Sequence, residues 1–197
     1  DGQPVSASDS AIVQVVADPV PPAIEVVKLA IPRTLPEPGG QAAYLVQIAN
    51  VSSVPVRITA IADNLYGNPG AISGNVGCVT PFDITAGARR FCRFRAAVSG
   101  DDGDAITDTV TVQACSLANG QCQDPALTGS DDATVTITGT PATILVQKDA
   151  LPPTLTEPGG AVTFTAEVRN TSIADTVTLN RLADDIYGNL AGRGDCV

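Results

Sequence analysis

The sequence predicts an all-β chain built of tandem β-sandwich units of about 120 residues, one complete and two partial. Three observations carry that expectation: a long internal repeat, period-two alternation of apolar residues, and a core vocabulary of Ala, Val, Ile and Leu. In the repeat, residues 24–50 match residues 144–170 at 12 of 27 positions, with an offset of 120. The segment ADNLYGN (62–68) matches ADDIYGN (183–189), and SDSAIVQV (8–15) lies over SDDATVTI (130–137). A period this long marks an array of small domains. The expected division is 1–17 as the last strand of one unit, 18–23 as a Pro-rich linker, 24–138 as the complete unit, 139–143 as a second linker, and 144–197 as the first half of another.

Strand signals then follow in order. Ile24 to Leu29 opens the complete unit. EPGG (37–40) places Pro and Gly where a type II turn wants them. In the next strand Ala42, Tyr44, Val46 and Ile48 share one parity, and Val162, Phe164, Ala166 and Val168 repeat that face. A half-buried strand varies in this way, because a one-residue slip would expose its whole apolar set. Further strands read at 54–62, 91–98, 106–115 and 133–137, with a Gly- and Pro-rich stretch at 67–85 holding a short strand near Cys78. The total is six or seven strands per unit.

Composition narrows the chemistry. Aromatics are 4%, and Trp, Met and His are absent. Without His, Ser-His-Asp and Cys-His catalysis is excluded, and the reading is of a protein that is not an enzyme. The net charge of −10 is spread as −3, −4 and −3 over 1–23, 24–139 and 140–197. An acidic surface argues against nucleic acid as a partner, and no apolar run reaches the ~20 residues of a transmembrane helix. Of the five cysteines, Cys196 aligns with Cys78, leaving four inside the complete unit. Proximity pairs Cys78 with Cys92 and Cys115 with Cys122, implying an oxidising compartment, most simply outside the cell. A zinc site would need four thiolates and is disfavoured.

The order EPGG, an alternating strand with Tyr or Phe, N-x-S, a second alternating strand and D-x-x-Y-G-N resembles the immunoglobulin-like repeats of large bacterial and archaeal surface proteins. The resemblance implies an immunoglobulin-like sandwich in an extracellular or cell-surface stalk, adhesin or filament of a prokaryote. It implies no activity.

Several residues invite a functional reading. Asp101, Asp102 and Asp104 could offer oxygens to Ca²⁺, although the setting resembles a solvated hairpin tip; no other cofactor is implied. The recurring Asp63 and Asp184 are explained equally well by capping a turn. Asn50 and Asn170 begin aligned N-x-S/T sequons, candidates for glycosylation. Arg193-Gly194-Asp195 spells a cell-attachment tripeptide, but the aligned residues are Asn75-Val76-Gly77. Lys28 and Lys148 end the first strand of each copy, where a lysine can form an internal isopeptide bond. That bond needs an Asn or Asp on an adjacent strand and a nearby acid in an apolar pocket. The last strand offers no Asn, and the disulfides already supply a clamp, so the sequence does not favour it. Finally, Arg89, Phe91, Arg93 and Arg95 form a basic, aromatic stripe on the outward parity of their strand. Carboxylates across the sheet could neutralise it, or it could contact an acidic neighbour.

These features predict a non-catalytic structural repeat: a rigid spacer and assembly module whose partners are neighbouring repeats or copies of the same protein. The alternatives are an adhesin module binding carbohydrate or host protein through the loops at 67–85 and 119–124, and an accessory domain of a secreted enzyme.

Overall fold

The computed structural model describes residues 2–14 and 21–195. Residues 24–138 form a two-sheet immunoglobulin-like sandwich. Its strands are β1 (Ile24–Ile31), β2 (Thr34–Pro36), β3 (Gly39–Asn50), β4 (Val56–Asp63), β5 (Phe82–Ile84), β6 (Arg89–Ser99), β7 (Ala105–Ala118) and β8 (Gln121–Thr138). One sheet has the order β1-β3-β6 and the other β2-β8-β7-β4-β5. All pairings are antiparallel except β2 with β8. The expected alternation holds in β3, where Ala42, Tyr44, Val46 and Ile48 are buried. They meet Val56, Ile58, Val110, Val112, Val135 and Ile137 of the facing sheet in one aliphatic core.

Eight strands form where six or seven were expected. Short β2 and β5 lie at opposite edges of the five-stranded sheet, where three residues with weak patterning are stabilised by a neighbour's ladder. β8 starts twelve residues earlier than its sequence signal, despite Pro125 and Gly129. Its long antiparallel pairing with β7 overrides that composition. The hairpin turns on Asn119 and Gly120, at φ 53° and 77°, the left-handed pair that a two-residue type I′ loop requires. Gly129 has a packing reason, since a Cβ there would meet Val26 Cγ2 at 2.8 Å. The EPGG turn has Glu37 and Pro38 at its centre, and Gly39 follows at φ 112° as β3 begins.

Residues 2–14 carry no strand, and Val5, Ile12 and Val13 are almost fully exposed. The final strand expected there has no adjacent strand to complete its ladder. Residues 18–20 of the expected linker lie outside the described residues, as does Cys196. Residues 144–195 form two small antiparallel pairs, β9 (Ile144–Leu151) with β10 (Thr163–Asn170) and β11 (Ala183–Asp184) with β12 (Gly188–Asn189). The β9–β10 register repeats that of β1–β3: Ile144 faces Asn170 as Ile24 faces Asn50.

Candidate functional site

The least expected feature of the core is a charged one. Lys28 occupies an inward position of β1 between Ile24 and Ala30, and its side chain is fully buried. Two fully buried carboxylates from the facing sheet meet it: Asp63 Oδ2 at 2.7 Å and Asp108 Oδ1 at 2.5 Å.

Strand geometry explains how each acid comes to point inward. On β7, Asp108, Val110, Val112 and Ala114 share the buried parity, so Asp108 faces the core by plain alternation. On β4, Val56 and Ile58 face inward, and a β-bulge between Ile58 and Ala60 then switches the parity to Ile61 and Asp63. Bulges re-aim side chains in this way. Asp63 is fixed further by a turn, because its Oδ1 accepts hydrogen bonds from Leu65 N (3.0 Å) and Tyr66 N (2.9 Å). The D-x-x-Y-G-N segment therefore serves two ends at once: one carboxylate oxygen caps its turn and the other binds the lysine.

An aromatic wall closes the pocket. Tyr44 and Phe94 stack with centroids 5.2 Å apart, and Tyr66 lies 5.5 Å from Tyr44. Lys28 Nζ sits 4.8 Å from the Tyr44 ring centre, within cation–π range. The β1 edge is sealed where the Lys28 backbone N–H donates to Asp131 Oδ2 of β8 at 2.7 Å.

Asp108 differs from Asp63 in having neither oxygen satisfied by an aligned hydrogen bond among the described residues. Burial, and then the neighbouring Asp63, push its carboxyl up to about 6 against the pull of Lys28. Burial also raises the Tyr44 hydroxyl, reinforced by its contact with Tyr66. Desolvation therefore works against the charged forms of Asp108 and Tyr44.

The copy in residues 144–195 keeps half of this arrangement. Lys148 Nζ lies 2.5 Å from Asp184 Oδ2, and Asp184 Oδ1 accepts from Ile186 N and Tyr187 N. Phe164 and Tyr187 replace the Tyr44 and Tyr66 walls. No residue of 144–195 aligns with Asp108, and Lys148 is 41% exposed where Lys28 is enclosed.

Other sequence candidates fall elsewhere. Asp101, Asp102 and Asp104 lie at the β7 approach, where Asp104 Oδ2 accepts from Asp101 N and Asp102 Oδ1 from Gly139 N. They form no metal-holding cluster among the described residues. Asn50 does not fit the glycosylation reading. It is buried, and its amide nitrogen, where a glycan would attach, donates to Val54 O and Ile84 O. Asn170 is exposed, with its amide donating to Asp175 O. Cys78–Cys92 and Cys115–Cys122 are bonded as paired by proximity. Both disulfides fit an oxidising, extracellular-type environment. Arg193-Gly194-Asp195 lies in an exposed turn near Lys148.

The stripe of Arg89, Phe91, Arg93 and Arg95 is exposed on β6 as its parity requires. Its β3 neighbours are Ala49, Gln47, Leu45 and Ala43, none of them acidic. No ion pair among the described residues engages these arginines. The 67–85 segment folds back onto the β6 edge, where Val76 and Arg93 exchange both backbone hydrogen bonds; just before it, Tyr66 Oη donates to Ala97 O. The loop expected at 119–124 shrinks to the two-residue turn Asn119–Gly120, since β8 begins at Gln121.

These geometries define the class as an immunoglobulin-like β-sandwich with a buried lysine–diacid core. No family model matches the chain, and no curated protein matches it. Among solved structures it is similar to the seventh PapD-like (ASH) domain of human CEP192, at 10% identity and a TM-score of 0.38, over 69% of this chain and 99% of that one. It is also similar to E. coli alpha-2-macroglobulin in its native conformation, at 16% identity and a TM-score of 0.35, over 65% of this chain and 8% of that one. No helix of the described residues is long and apolar enough to cross a membrane.

Proposed function

We propose that this chain is a non-catalytic structural repeat of an extracellular surface protein, stalk or filament, in which each sandwich is a stiff spacer that also contacts its neighbours. The observation that carries this reading is where the recurring residues go. Lys28, Asp63 and Tyr66 build the inside of the sandwich, and Lys148, Asp184 and Tyr187 recur in the same local arrangement. What the repeat preserves is a way of holding two sheets together. Two disulfides, each closing a short loop, add about 2–3 kcal/mol apiece. A unit stabilised mainly from within suits a linear array.

The outer face of the three-stranded sheet is the contact surface of this reading. Val27, Leu29 and Ile31 on β1 and Phe91 on β6 are exposed there beside Arg93 and Arg95. Its counterpart is an acidic surface of another repeat or copy, and the chain as a whole carries a net charge of −10. Substituting Arg93 and Arg95 by Glu tests it by sedimentation velocity: association at low salt should disappear. Equal sedimentation of the variant and the parent across salt concentrations refutes the assembly role.

A further inference from the structure

We propose that Lys28 and Asp108 condense to an internal isopeptide bond that ties β1 to β7 across the sandwich, with Asp63 relaying the proton. The sequence had set this bond aside because the last strand offers no Asn. The acceptor instead lies on the strand before it.

Four observations converge on the pair. First, the nucleophile and a carboxyl group are already in contact: Nζ lies 2.5 Å from Asp108 Oδ1, and Cγ is one bond further. Holding reacting groups so replaces a bimolecular encounter with an intramolecular one. Second, both side chains are fully buried, with Lys28 Nζ over the Tyr44 and Phe94 rings. In such surroundings an ammonium and a carboxylate tend to exchange a proton and become a neutral amine and a neutral acid, the reactive forms of both. Third, no aligned hydrogen bond among the described residues holds either Asp108 oxygen, so its carbon is free to become tetrahedral. Fourth, Asp63 is unsuited to be the acceptor and suited to be the relay. Two backbone N–H groups pin its Oδ1, which fixes its carbon in place, while its Oδ2 faces Nζ at 2.7 Å and can take a proton from it.

The step balances without a cofactor. The Nζ lone pair of the neutral amine forms a bond to Asp108 Cγ, and Asp63 accepts a proton from nitrogen. The Cγ–OH bond then breaks, and Asp63 returns that proton to the departing oxygen, which leaves as water. Amine and carboxylic acid become amide and water, and Asp63 ends as it began. Nothing is oxidised or reduced.

The bond would also remove an energetic liability. An ionised Lys28–Asp63–Asp108 cluster buries three charges of net sign −1, whereas the amide leaves one carboxylate with backbone donors. Mechanically, it joins the first strand of the unit to the one before its last. A pull on the ends of the unit then could not peel β1 from the sandwich.

Intact mass spectrometry of the full chain, with both disulfides formed, is the direct test. The folded protein should weigh less than its disulfide-bonded sequence by one water. Proteolysis should release a β1 peptide joined to a β7 peptide through Lys28 and Asp108. Lys28→Arg and Asp108→Ala should show the full mass, and Asp63→Ala should cross-link far more slowly or not at all. Lys148→Ala should still lose the water, because its own site has no third group. The Asp102-Gly103 sequence can lose water by forming a succinimide, and a mass deficit without the joined peptides would overturn the proposal. So would an uncross-linked mass in folded parent protein, whatever the variants do, or a link to Asp63 in place of Asp108.

Discussion

Lys28 and Lys148 occupy equivalent positions in two copies of one sequence pattern, yet one is sealed in a core and the other is 41% exposed. Each has its aspartate, its tyrosine turn and an aromatic neighbour. What separates them is the facing strand: β7 brings Asp108 and an apolar row, and residues 144–195 contain no equivalent. A lysine strand and the D-x-x-Y-G-N turn are therefore enough to bring lysine and aspartate together. Burial, and the chemistry that burial permits, comes from the facing strand β7. The same contrast appears at Asn50 and Asn170, which make the same local turn, with only Asn50 buried beneath β5.

The sharpest way to break this comparison is to remove each lysine in turn. Lys28→Ala removes the proposed cross-link and strands two buried carboxylates, and leaving a buried charge without its partner by itself costs about 3–5 kcal/mol. Chemical denaturation should show a loss of that order in the 24–138 unit. Lys148→Ala should leave its midpoint unchanged, since an exposed pair contributes little. Equal effects would mean that the enclosed and open sites are energetically alike.

A smaller but cleaner difference is expected at the asparagines. Asn50 donates to Val54 O and Ile84 O and accepts from Ser52 N and Oγ, all within the buried corner between β3 and β4. Asn50→Ala leaves those carbonyls without donors, at about 1–3 kcal/mol. Asn170→Ala, whose partners can turn to water, should be close to neutral in the same denaturation experiment. A near-neutral Asn50→Ala would show that water replaces the amide at the corner.

How much of this was legible beforehand depends on the element. The inward row of β3 and the outward stripe of β6 follow from alternation alone, and both appear as read. Alternation also carried the key to the site: Asp108 shares the parity of Val110, Val112 and Ala114. It was obscured by its neighbours in sequence, since Asp101, Asp102 and Asp104 make the whole run resemble a polar hairpin tip. Asp63 could not be placed by parity at all, because the bulge after Ile58 reverses it, and nothing in RITAIAD announces an extra residue. Lys28 and Asp63 each stood out by recurring. That they meet is a long-range fact, set by how two sheets stack.

The finest test concerns protons. Lys148, then the Tyr187 and Ile186 backbone N–H groups, hold the Asp184 carboxyl down at about 2. A carboxyl depressed on folding binds fewer protons in the native state than in the unfolded one, for which the ordinary value is 3.8. Its contribution is thus fully present above about pH 4 and fades as pH falls toward 2. Asp108 leans the opposite way, with a free carboxyl near 6. It would favour the folded state below about pH 4 and lose that contribution as pH rises through 6. Carbon-detected NMR titration of the side-chain carboxyls separates the two sites in one sample. Asp184 should titrate near 2. Asp108 should show no titration between pH 3 and 8, because an amide carbon has no proton to lose. A carboxyl titrating near 6 at Asp108 would mean that the enclosed site differs from the open one in burial alone, and not in its covalent chemistry.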